Sequence, residues 1–240
     1  PFSTRWRLRL VTPLLWLACG LASAQNPPVA ADAPGAPASA AQPSAAQAAA
    51  LSRDARRIHA LSRDKLLQIR TLLRTSNTQA SIGSGFFVSA DGLIVTNFHV
   101  ASQLALEPER YRGVYVTIDG QEGDVDLLAF DVQHDVAVLR ARKRTAPAPV
   151  LEFRPAAEPL AQGERIYSLG NPLDIGFAVT EGTYNGLVRR SFYPRIFFGG
   201  TLNPGMSGGP AVDDAGRVLG VNVAKRLDGE QVSFLILPEF

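Results

Sequence analysis

Ser207 lies in Asn203-Pro204-Gly205-Met206-Ser207-Gly208-Gly209-Pro210, a glycine-rich turn just ahead of an apolar run. A serine hydroxyl is a weak nucleophile until a base takes its proton. The segment therefore carries chemistry only if a histidine and an acid accompany it in a workable order. The chain has three histidines, His59, His99 and His134, and all of them precede Ser207. Gly205-x-Ser207-x-Gly209 formally matches a nucleophile elbow, but that plan needs its histidine after the serine. A plan with the acid ahead of the histidine would have Asp91 as a nominal candidate. The order that remains is histidine, acid, serine.

His99 ends the stretch Gly92-Leu93-Ile94-Val95-Thr96-Asn97-Phe98-His99-Val100, where an apolar strand gives way to a turn. That would hold an imidazole at the rim of a core. Asp135 opens Asp135-Val136-Ala137-Val138-Leu139, a strand with alternate apolar residues. An acid at such a strand mouth can orient a neighbouring imidazole. Burial raises a carboxyl pKa, so this acid needs hydrogen-bond donors to stay ionised. The rival acids Asp124, Asp126 and Asp131 lie in a polar segment and read as surface or turn residues. His134 points away from Asp135 in an extended segment and reads as structural. His59 lies in a polar helical stretch and reads as solvated.

Four motifs stand in order: Gly83-Ser84-Gly85-Phe86-Phe87-Val88, Thr96-Asn97-Phe98-His99-Val100, Asp135-Val136-Ala137-Val138-Leu139 and the Ser207 turn. Together they resemble the HtrA/DegP-type trypsin-like serine proteases, from about residue 66 to 240. The resemblance implies two six-stranded antiparallel β-barrels with the active site between them, and a short helix ahead of them. It implies that Ser207 attacks, His99 moves the proton and Asp135 orients His99. It matches the backbone N–H groups of Gly205 and Ser207 to an oxyanion hole. The sequence carries no metal-ligand cluster or phosphate-binding loop, so no cofactor or metal is expected.

Two positions depart from that family's usual residues. Met206 stands where asparagine is common, and its side chain is expected to flank the site. Phe98 replaces a usual polar residue. By analogy, the primary specificity pocket lies under the loop before Ser207 and beside the strand after it. Thr201 and Leu202 would line it, with Val221, Asn222 and Val223 offering an edge for an extended substrate. Thr201 falls where an acid would select Arg or Lys, so small or medium aliphatic residues are the expected preference. The segment Arg189-Arg190-Ser191-Phe192-Tyr193-Pro194 carries aromatic and basic groups that could order the loops around 171–206.

The elements that must position these residues are β-strands. Turn signals such as Ser89-Ala90-Asp91-Gly92 and Asp213-Asp214-Ala215-Gly216 separate short apolar runs, which argues for an all-β domain over alternating strands and helices. With 240 residues and 46% apolar composition, the chain can build one two-lobed domain plus extras. The first strand is expected near 67–74, with a hairpin loop at 76–79. The basic run Arg140-Ala141-Arg142-Lys143-Arg144 reads as a solvated link between lobes.

Residues 1–24 read as a secretory signal, with Arg5, Arg7 and Arg9, an apolar stretch and Ala22-Ser23-Ala24. An uncleaved anchor and a lipoprotein built on Cys19 are the other readings. Residues 25–50, rich in Ala, Pro, Ser and Gln, read as a disordered linker. Residues 51–65 read as helical, with Leu51, Ile58, Leu61 and Leu66 on roughly one face. The protease domain is expected over 66–240, with its C-terminal end cut short. Residues 1–24 hold three arginines and no acid, so their removal takes the formal net charge from +2 to −1. Nucleic acid is thus not an expected partner. The single cysteine goes with them, leaving no disulfide.

The expected function is an exported, periplasmic serine endopeptidase acting on unfolded or mislocalised proteins, through a His-Asp-Ser triad and an acyl-enzyme. Secretion beyond the cell is a further outcome, and homo-oligomerisation is left open. Membrane association is expected only if the signal is retained. The alternative is a protease-like binding or chaperone module with little turnover.

Overall fold

A computed structural model describes residues 45–237, apart from 145, 172, 173, 175, 189–192, 228 and 229. The expected signal, Cys19 and most of the expected linker lie outside the described residues. Helix α1 (Ala45–Ser62) begins six residues inside the stretch read as linker. Ala-rich sequence has high helix propensity even where it has little to bury. The buried face of α1 is Ile58 and Ser62, with Ala55 packed alongside; Leu61 is 48% exposed and Leu66 is no longer helical. The side chain of Leu51 lies outside the described part. Asp54 ties α1 down by pairing with Arg165 at 3.0 Å. Arg57 donates to the Asp214 carbonyl at 2.9 Å.

Six strands follow: β1 (Leu66–Leu73), β2 (Gln79–Phe87), β3 (Leu93–Thr96), β4 (Tyr111–Thr117), β5 (Glu122–Asp131) and β6 (Val136–Ala141). They close a barrel in the order β1-β2-β3-β6-β5-β4, with every pair antiparallel. Helix α2 (Phe98–Leu106) leaves the end of β3 and buries Val100 and Ala101. A second closed barrel holds β7 (Arg165–Gly170), β8 (Ala178–Leu187), β9 (Arg195–Phe198), β10 (Pro210–Val212), β11 (Val218–Leu227) and β12 (Glu230–Ile236). The expected all-β fold of two six-stranded antiparallel barrels is therefore what the chain forms.

Strand alternation explains how the barrels meet. Leu67 and Ile69 of β1 turn into the first barrel with Phe87, Ile94 and Leu139. Leu66 and Phe86 face the other way and pack with Tyr167, Leu169 and Val212 of the second barrel and with Ile58 of α1. β1 is thus buried on both faces over most of its length, although Gln68, Arg70 and Thr71 break its apolar run. Gln68, also on the outward face, is buried, and its amide donates to the Asp174 carboxylate at 2.5 Å. Among the described residues, no helix is long and apolar enough to cross a membrane.

Candidate active site

His99 occupies the first turn of α2, not an open loop. Asn97 precedes the helix in an extended conformation but does not cap it with its side chain. Its amide instead donates to the Asp135 carbonyl at 2.9 Å. The Phe98 N–H donates to the same carbonyl at 3.1 Å. The start of the helix is thus fastened to the turn between β5 and β6.

That turn brings Asp135 to His99. His99 Nδ1 lies 2.7 Å from Asp135 Oδ2, and the His99 N–H donates to Oδ1 at 2.9 Å. One carboxylate therefore fixes both the ring and the backbone of His99. Asp135 is a quarter exposed, and the two His99 contacts rather than depth hold its carboxylate in place. Its φ is +56°.

The other acids are engaged elsewhere. Asp124 pairs with Arg112 at 2.9 Å, and Asp126 accepts from Arg142 Nε at 2.8 Å. Asp131 Oδ2 lies 2.6 Å from His134 Nδ1. The Arg142 guanidinium pulls the Asp126 carboxyl below its usual range, and the His134 bond does the same to Asp131.

Ser207 is 5% exposed, in the turn that enters β10. The second barrel clamps this turn through β11. The Gly208 N–H donates to the Asn222 carbonyl at 3.0 Å, and the Asn222 N–H donates to the Gly209 carbonyl at 2.8 Å. The Asn222 side chain, expected at a substrate edge, is fully buried, accepts from the Ser168 hydroxyl and donates to the Leu169 carbonyl at 2.9 Å. The first barrel clamps the turn as well, because the Ser84 N–H donates to the Ser207 carbonyl at 2.8 Å. A Cβ on Gly83 would lie 2.5 Å from the Val100 side chain and 3.0 Å from the Ser207 carbonyl. Gly83 therefore lets the serine turn sit against the helix that carries His99.

Of the expected pocket residues, Thr201 is exposed, Leu202 fully buried, and Val221 and Val223 almost so. Met206 does not flank the site. It is fully buried and packs with Leu202, Ile166, Ile196 and Phe198 inside the second barrel. An apolar residue suits that place because the turn folds inward between Gly205 (φ +93°) and Gly208 (φ +85°). Phe98 stacks on Phe130 with centroids 5.0 Å apart. Ser84 carries no role of its own in the sequence reading beyond the Gly83-Ser84-Gly85 motif; a serine between two glycines is the signal for its place beside Ser207.

A family model for the trypsin-like peptidase domain matches residues 83–221. The chain belongs to the trypsin-like peptidase family. Serine protease HhoB of Synechocystis is 36% identical over 163 residues, covering 64% of this chain and 37% of that protein. A periplasmic serine endoprotease described as DegP-like, from Halomonas elongata, is 34% identical over 152 residues, covering 61% and 30%. Protease Do-like 1 of Arabidopsis thaliana chloroplasts is 33% identical over 157 residues, covering 59% and 33%. This trypsin-like peptidase chain thus spans about a third of the length of these relatives. The crystal structure of Deg5 shares its fold, with a TM-score of 0.67 and 24% identity over 78% of this chain and 90% of that one.

Proposed function

We propose that this chain is an exported serine endopeptidase that cleaves unfolded or mislocalised proteins. The observation that carries the reading is the 2.7 Å contact between His99 Nδ1 and Asp135 Oδ2, in a trypsin-like peptidase domain whose Ser207 turn is held by both barrels. Ser207 Oγ attacks the scissile carbonyl while His99 Nε2 takes its proton. The tetrahedral intermediate collapses, the C–N bond breaks, and His99 protonates the leaving amine. Water then enters by the same base and frees the acid product and Ser207. Asp135 accepts the Nδ1–H bond throughout and stabilises the imidazolium. The N–H groups of Gly205 and Ser207 receive the oxyanion, and one such donor is typically worth roughly 10²–10³ in turnover.

Thr201 carries no charge to attract Arg or Lys, which supports cleavage after small or medium aliphatic residues. The periplasmic relatives and the basic, apolar start of the chain support export, and the endoprotease relatives support protein substrates.

Fluorophosphonate labelling tests the reading. The purified chain is expected to label at Ser207, and labelling is expected to vanish in Ser207→Ala and fall sharply in His99→Ala. An unlabelled wild-type chain that still binds unfolded protein would replace this reading with a binding module.

A further inference from the structure

Tyr193, two residues ahead of β9, is buried with 8% of its surface exposed. Its ring meets the His134 ring of the first barrel, centroids 4.5 Å apart and planes at 60°. The Arg195 guanidinium covers the Tyr193 ring at 4.6 Å. His134 is also held at its ring edge by Asp131, whose Oδ2 lies 2.6 Å from Nδ1. Asp131 Oδ1 also accepts the backbone N–H groups of Gln133 at 2.8 Å and His134 at 3.0 Å. Tyr193, His134 and Asp131 thus form a stack across the barrel boundary, and it closes the turn whose next residue is Asp135.

Asp135 needs such support. Its φ of +56° is left-handed, a conformation that costs a non-glycine residue about 1–3 kcal/mol and persists only where its surroundings over-determine it. Asn97 and Phe98 hold its carbonyl from the α2 side. On the turn side, His134 is the adjoining residue, and the second barrel presses on it through Tyr193.

We propose that Tyr193 is a positioning residue for the acid: by packing on His134 it keeps the 131–135 turn in the conformation that aims the Asp135 carboxylate at His99. The proposal rests on the protease reading of the site. It makes the acid's geometry depend on the segment entering β9.

Four variants of the full chain test it: Tyr193→Ala, Tyr193→Phe, His134→Ala and the Tyr193→Ala/His134→Ala double. The readouts are the fluorophosphonate labelling rate, the low-field proton resonance of His99 Nδ1–H, and Tm. Tyr193→Ala is expected to slow labelling by roughly 10–100-fold, the scale of a small misplacement of catalytic groups, and to weaken the resonance. Tyr193→Phe keeps the ring and is expected to restore both. His134→Ala, made on the turn itself, is expected to match Tyr193→Ala, and the double variant to lose little more, as coupled residues do. Wild-type rate and resonance in Tyr193→Ala, or losses that add in the double variant, would overturn the proposal alone. A wild-type chain that does not label would overturn it together with the protease reading. If Tyr193→Ala does not fold, by Tm, His134→Ala against wild type decides: an unchanged rate and resonance overturns the proposal.

Discussion

The Ser84 hydroxyl, on β2 of the first barrel, donates to the Gly205 carbonyl of the second at 2.7 Å. The same oxygen accepts the Asn171 N–H at 2.9 Å, and the Ser84 carbonyl accepts from the Thr96 hydroxyl at 2.7 Å. With its N–H on the Ser207 carbonyl, Ser84 uses every polar group it has on the edges of the site. Fixing the Gly205 carbonyl also fixes the plane of the peptide that follows, and so the turn between Gly205 and Ser207.

Ser84→Ala should therefore act on turnover. It leaves the Asn171 N–H and the Gly205 carbonyl without this partner, a penalty of about 1–3 kcal/mol for a buried group. We expect kcat on a peptide ester to fall roughly 10-fold, the rate equivalent of about 1.4 kcal/mol, with KM little changed. Steady-state kinetics beside a thermal melt check this. A rise in KM at constant kcat would place the effect on substrate binding instead.

Gly208→Ala should fail for two separable reasons. At φ +85°, a Cβ would lie 2.3 Å from both the Ser84 carbonyl and the Thr96 hydroxyl. Left-handed backbone and overpacking together cost roughly 3 kcal/mol. Gly120, at φ +78°, has nothing within 4 Å of a Cβ. Gly120→Ala should show the backbone penalty alone, about 1–2 kcal/mol. Urea denaturation of both variants measures the difference, and equal losses would remove the clash from the account.

The Asp131 turn should respond to acid. The His134 ring and the backbone N–H groups of His134 and Gln133 hold the Asp131 carboxyl below its usual 3.8, against a smaller opposing effect of burial. Tyr193, with Arg195 over its ring, packs against the His134 ring. A carboxyl depressed in the folded state stabilises above its unfolded pKa, and that contribution is lost as pH falls through the folded value. The turn should thus hold above about pH 4 and loosen below it. Carboxyl-carbon NMR should show the Asp131 midpoint moving up toward 3.8 in His134→Ala. An unmoved midpoint would mean that the backbone N–H groups suffice.

Much of this was legible in the sequence because it is local or ordinal. Three histidines ahead of Ser207 fixed the order of the partners, and period-two alternation marked β6. The hairpin loop expected at 76–79 falls where β1 gives way to β2. What escaped was set by distant packing. Ile58 rather than Leu61 faces the core because α1 is phased by the second barrel, and counting Leu66 with the helix shifted the face. Met206 looked like a site residue because it adjoins Ser207, yet the two flanking glycines turn it inward. The meeting of Tyr193 and His134, fifty-nine positions apart in sequence, needs two closed barrels before it exists.

The division of labour between the barrels has an engineering consequence. In the proposed reading, the base and acid sit on the helix and turn attached to the barrel ending at Ala141, and the nucleophile on a turn of the barrel beginning at Arg165. Each sheet closes on itself, so a chain cut within residues 142–164 would yield two pieces, each with its own ladder of strands intact and neither holding a complete set of reactive groups. Hydrolysis would then report reunion of the halves, and the same scaffold could serve as a sensor in which proximity of two fused partners switches on a covalent reaction.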